Sequence, residues 1–268
     1  MVNPGTVEAV LFLCATIAYV VAMALAISSV WRQTILGLLA VGVVLMTAGI
    51  AVRWATFGYG PFTTLYEVLA SSVWSLSLVY AIVYAAMPQV RGSASLVLPF
   101  IVLLAGWMLS SDCTQGHLPP TFDTPLLYVH SLFGKLFLSL LMIATALGAI
   151  VLARRTVVST AFEDMADDGR LTELSYRFAA FAFVSDTVML IVGAIWAQDA
   201  WGRYWAWDPL ETWAFLTWLA LAFALHLKIW LRPPALVWSG IVATAFVLAF
   251  LTFFGVPFVS DVPHKGVF

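Results

Sequence analysis

The sequence predicts an all-α, polytopic membrane protein with about eight transmembrane helices and an external Trp-rich loop. Three observations carry this. Of 268 residues, 63% are apolar and 10% charged, whereas soluble domains run nearer roughly 45–50% and 25%. The mean hydropathy is +1.00. Apolar runs also recur at the length of about 20 residues that a hydrocarbon core of roughly 30 Å requires. A soluble globular enzyme, a disordered chain and a disulfide scaffold are thereby excluded. Twelve Lys and Arg against fourteen Asp and Glu leave no basic excess for nucleic acid.

The segments follow in order. The first, 8–30, comes after Met1–Val7, which has no basic n-region, so it is expected to stay as an anchor. Cys14 lies inside it as a small side chain. Segment 34–52 begins after Trp31-Arg32-Gln33, 63–87 after the Gly58–Pro61 turn, and 94–111 after Met87-Pro88 to Ser93. Segment 125–153 follows a loop containing Cys113 and Leu118-Pro119-Pro120. A polar stretch with Glu163, Asp164, Asp167 and Asp168 precedes 174–197, and Arg232-Pro233-Pro234 separates 210–231 from 234–256. The whole of 1–268 is read as one transmembrane domain. Two cysteines build neither a disulfide framework nor a Cys-rich metal site, and without a C-x-x-C-H motif no c-type haem is attached to this chain.

Orientation follows from Lys and Arg in the short loops. Arg32, Arg91, Arg154, Arg155, Arg170, Arg177, Lys228 and Arg232 collect on one side, against Arg53, Arg203 and Lys265 on the other. Both termini, the loops 53–62, 112–124 and 198–209, and the tail 257–268 are therefore expected outside.

Six of the twelve Trp fall within residues 196–218. An interfacial belt spreads aromatics over every span end; this concentration suits stacking against a large planar ligand, with indole N–H groups as donors. Within it, Asp208, Pro209 and Glu211 read as N-cap, N1 and N3 of the seventh helix, a structural role for both acids. Arg203 is placed to meet an anionic ligand group.

The histidines are candidates for iron ligation, since a six-coordinate haem takes two neutral imidazoles from different segments. His130 lies about five residues into the fifth span and His264 in the tail, both on the Trp-rich side; His226 lies about sixteen residues down the seventh span, too deep to share a haem with His130. His117 sits in a Gly/Pro loop that reads as simple turn sequence. Lys135 and Asp186 each lie roughly 15 Å below the outer ends of their spans. Matched depth allows a buried ion pair, and both a structural staple and a redox or proton role stay open.

At Trp201-Gly-Arg-Tyr-Trp205-Ala-Trp207-Asp208-Pro209-Leu-Glu211 the sequence resembles the WWD haem-handling proteins of cytochrome c maturation, and among them the CcsA/ResC family of system II. The resemblance extends to Thr64-Leu-Tyr66-Glu67, Tyr128-Val-His130, Leu174-Ser-Tyr-Arg177, Leu225-His226 and the Phe254–His264 ending. It implies a component of a holocytochrome c synthase that carries haem b as its transported substrate. His130 and His264 are the implied axial ligands at the WWD surface, with Trp201, Arg203, Trp205, Trp207 and Asp208 around the porphyrin. His226 is implied to work with a histidine of a CcsB/ResB-like partner, and apocytochrome c receives the haem. The implied setting is a bacterial inner or plasma membrane or a thylakoid membrane, with the haem site on its periplasmic or lumenal face. The alternatives are CcmC-like delivery of haem to a carrier protein and a transporter without redox chemistry.

Overall fold

The computed structural model describes residues 4–28, 32–156, 162 and 165–259. No strand occurs among them. Among the described residues eight helices are long and apolar enough to cross a membrane, so the all-helical, multi-pass architecture stands as expected. The chain divides into two compact units, one built on residues 1–118 and the other on 119–266.

The first unit holds α1 (Pro4–Ile27), α2 (Arg32–Phe57), α3 (Leu65–Ala86), a 3-10 turn (Pro88–Ser93) and α4 (Ala94–Ser110). Lipid tails are as apolar as Leu, so close packing and interhelical hydrogen bonds must hold such helices together. Gly42 and Gly49 of α2 lie under the rings of Tyr19 and Phe12, where any Cβ would collide, so α1 and α2 approach closely. Tyr19 Oη then donates to Ser77 Oγ of α3 at 2.8 Å.

The loop end of this unit is closed by a buried ionic network. Arg53 Nε meets Glu67 Oε1 at 2.7 Å and its Nη1 meets Glu8 Oε1 at 3.1 Å. The guanidinium also donates to the carbonyls of Cys113 and Thr114. Glu67 Oε2 accepts from the Thr63 N–H and hydroxyl, so its second oxygen is satisfied too. Burying charges is tolerated only with such complete pairing. Arg53, expected at the start of an external loop, is instead a residue of α2 with 3% exposure. The hydropathy pattern ended the second segment at residue 52, because the charge breaks the apolar run while the helix continues to Phe57.

The second unit holds α5 (Pro125–Ala153), α6 (Asp168–Trp201), α7 (Pro209–Leu231), α8 (Ala235–Phe254) and a short α9 (Val256–Val259). With 34 residues, α6 outruns the expected segment 174–197 at both ends; at 1.5 Å per residue it is about 51 Å long. Asp167 caps its start by accepting from the Arg170 N–H at 3.0 Å, and that donation holds the Asp167 carboxyl below the usual range. Gly202, at φ 81, ends the helix in the left-handed conformation favoured at a C-terminus. Helices α5 and α6 lie against each other along much of their length. Ser175 Oγ donates to the Ala144 carbonyl and accepts from Trp238 Nε1, tying α5, α6 and α8. Thr217 and Thr252 share a hydrogen bond of 3.0 Å between α7 and α8.

Candidate haem site: a histidine face and an aromatic pocket on one helix

His130, half-buried on the first turns of α5, lies against α6. Its Nδ1 is 2.9 Å from the Met189 carbonyl. A carbonyl only accepts, so the neutral ring carries its proton on Nδ1 and its lone pair on Nε2. This is the tautomer that a backbone carbonyl sets in metal-ligating histidines. The ring stacks on Trp196, with centroids 6.0 Å apart and planes at 15°. Gly193 makes the approach possible, since a Cβ there would meet His130 Nδ1 at 2.6 Å. Trp196 is locked in turn, donating from Nε1 to the Phe122 carbonyl at 3.1 Å and packing edge-on against Phe122 and Trp201.

The remaining indoles of the motif go elsewhere. A pocket of about 380 Å³ is lined on one side by Thr187, Leu190, Ile191 and Ala194 of α6. Trp205, Trp207, Phe215 and Trp218 form its other walls. On α6, Met189, Gly193 and Trp196 form one stripe, and Thr187, Leu190, Ile191 and Ala194 another, offset by two residues. At about 100° per residue that offset puts the stripes on nearly opposite faces, at the same level along the helix. The structure therefore brings Trp201 to the His130 side and gathers Trp205 and Trp207 on the other.

The loop carrying these indoles is held by its own acids. Asp208 Oδ1 accepts from the Glu211 N–H at 2.9 Å, the N-cap bond expected of it. Glu211 reaches further back than a capping box requires and accepts from the Ala206 N–H at 2.6 Å. That reach depends on Trp207, whose φ of 57 turns the chain sharply before the helix. A bulky residue in this region is an outlier; here it leaves the Trp207 side chain 67% exposed. Arg203 is exposed on the same loop and forms no ion pair with another described residue.

His226 is exposed on α7, its Nδ1 bonded to the Ala222 carbonyl one turn back at 2.7 Å. Again Nε2 holds the lone pair. His117 is exposed in the loop tied down by Arg53, and by Tyr59 Oη donating to the Gly116 carbonyl. His264 lies outside the described residues. Lys135 and Asp186 are both buried, but the ion pair their matched depth allows is not formed. Among the described residues neither Asp186 oxygen has a hydrogen-bond partner. Sequence reasoning missed the roles of Glu8 and Glu67 in closing the first unit; the available signal was an isolated acid in each of two apolar runs.

A polytopic helical membrane protein with a tautomer-set histidine beside a Trp-rich loop is the class these observations define. Comparison with known proteins narrows it. Residues 62–264 match the family described as cytochrome C assembly protein. Cytochrome c biogenesis protein CcsA of Prochlorococcus marinus strain MIT 9301 is 32% identical over 253 residues, covering 82% of this chain and 80% of that protein. The CcsA of Guillardia theta is 30% identical, with 88% and 84% covered; that of Cyanophora paradoxa is 29% identical, with 66% and 70% covered. The chain belongs to the cytochrome c assembly protein family and, within it, to CcsA. Among solved structures, cytochrome c heme lyase CcmF aligns with a TM-score of 0.73 at 15% identity, a likeness of fold. The alignment covers 95% of this chain and 47% of CcmF, so the chain spans just under half of that protein's length.

Proposed function

We propose that this protein binds haem at the external membrane face and presents it to apocytochrome c for covalent attachment, together with a CcsB/ResB-like partner. The observation that carries the reading is the His130 imidazole, whose Nδ1–H is committed to the Met189 carbonyl beside the Trp196 and Trp201 indoles. His264 supplies the second axial ligand. Haem b is the substrate, and the membrane is a bacterial plasma membrane or a thylakoid membrane. Trp196 and Trp201 hold the His130 ring, and Arg203 meets a propionate. His226 forms a second, deeper site with a histidine of the partner.

The chain's own contribution to attachment is positioning. Each cysteine thiol adds across a vinyl group, forming a C–S bond, with the thiol hydrogen ending on the vinyl carbon; the reacting groups supply that chemistry themselves. Holding two reactants in register can contribute most of the acceleration. Ring orientation at His130 and the braced Trp loop are the features that provide it.

The test is a spectrum of the full chain purified with its partner from haem-replete cells. A bis-imidazole haem is expected, lost on His130→Ala and restored by added imidazole. Undiminished haem and normal cytochrome c assembly in His130→Ala would overturn the proposal.

A further inference from the structure

Ionisable side chains within a span ordinarily face the protein interior, because hydrocarbon offers them no partner. Glu8, Arg53, Glu67, Lys135 and Asp186 keep to this rule, each no more than 9% exposed. His226 breaks it. It lies five residues before Leu231, the end of α7, and is exposed on the outward side of that helix. Its bond to the Ala222 carbonyl holds the ring against its own helix and commits Nδ1, so coordination falls to Nε2. What flanks it is flat and apolar. Residues three and four apart share a helix face, so Phe223 and Trp230 lie to either side of His226 on that face. They are 66% and 83% exposed, the latter the highest value among the large apolar side chains described. At 1.5 Å per residue the two rings stand about 4.5 and 6 Å from the imidazole along the axis. Lys228, the one cation of this stretch, is turned away, its Nζ over the Trp238 ring at 5.4 Å.

An axial imidazole with an aromatic ring one turn to each side has the shape of a porphyrin wall. A macrocycle centred on Nε2 lies along the helix face and covers about a turn in each direction. There each ring offers it a flat apolar contact. A face meant only for lipid needs no imidazole turned outward among its apolar residues. We propose that the outward face of α7 is one wall of the deeper haem site, with Phe223 and Trp230 carrying the macrocycle on either side of His226. The partner's histidine then meets the iron from the opposite side, so the macrocycle itself covers this stretch of α7. The inference rests on the reading of His226 as a haem ligand, to which it adds the wall and the two rings.

The test uses the full chain purified with its partner from haem-replete cells. The haem fraction that disappears on His226→Ala defines the deeper site, and its transfer to excess apomyoglobin is followed by absorbance. Phe223→Ala and Trp230→Ala should each speed that transfer about fivefold, the factor one aromatic contact provides. Trp230→Phe keeps a ring and should stay near wild type. Phe181→Ala removes a ring of 65% exposure from α6 and should change nothing. The axial-ligand bands should stay those of wild type in all of these variants, since no ligand is touched. Unchanged transfer in both Phe223→Ala and Trp230→Ala overturns the wall while leaving His226 its role as ligand. Equal acceleration by Phe181→Ala assigns the effect to the bilayer and overturns it as well. If no haem is lost on His226→Ala, the deeper site itself falls and the wall with it.

Discussion

The two faces of α6 occupy the same level of the helix and are built on opposite principles. Toward α5, every element is fixed: His130 on the Met189 carbonyl, Trp196 on the Phe122 carbonyl, and a glycine at 193 that admits the ring. Toward α7, aromatic walls enclose an apolar space with an indole donor left over. A ligand atom that must meet iron needs preset orientation, which the first face supplies. One helix thus carries two differently built faces because its rotation presents two stripes to two neighbours.

The comparison can be broken at four points. His130→Ala carries the largest effect: covalent cytochrome c should fall to background while the protein remains inserted, measured by haem staining beside immunoblotting. Gly193→Ala tests the same face without touching a ligand. The added methyl pushes the imidazole off its carbonyl, and loss of such an outer contact lowers metal affinity about 10–100-fold. Haem titration of the purified variant checks it, and an affinity equal to wild type would show that the ring is not oriented by α6. On the other face, Glu211→Ala strands the Ala206 N–H, at a cost of about 1–3 kcal/mol. Glu211→Gln keeps an acceptor and should stay near wild type in thermal unfolding, while Glu211→Ala lowers the midpoint. Trp218→Phe is the mildest, removing one bond to Thr187 worth about 1 kcal/mol. It should leave haem binding by His130 unchanged, which confirms that the two faces act independently.

Much of the fold was legible because it is written locally. Hydropathy finds spans wherever apolar runs reach bilayer length, and the described residues contain eight such helices. The Asp208-Pro209-Glu211 start was equally legible, since N-capping depends on three consecutive positions. The sixth span was cut short because its ends are polar, and a cap such as Asp167 carries no hydropathy signal. The tie among Glu8, Arg53 and Glu67 escaped for a different reason: its members are separated by 45 and 14 residues, and no local rule joins them.

The Trp-rich motif shows the limit most clearly. It reads as a single platform, yet the structure gives Trp201 to one side of α6 and Trp205 and Trp207 to another. Asp186 shows the same limit, since its depth allowed a partner that packing did not supply.

Composition and short-range pattern alone determined that this is a multi-pass membrane protein of about eight spans, where its seventh helix begins, and which imidazoles were worth following. Tertiary structure alone decided how α6 is rotated, which tautomer His130 adopts, and which indoles share a wall. The physical reason is that span and cap are properties of neighbours along the chain, whereas rotation is set by close packing between helices, where one glycine or one carbonyl on a facing surface chooses the side.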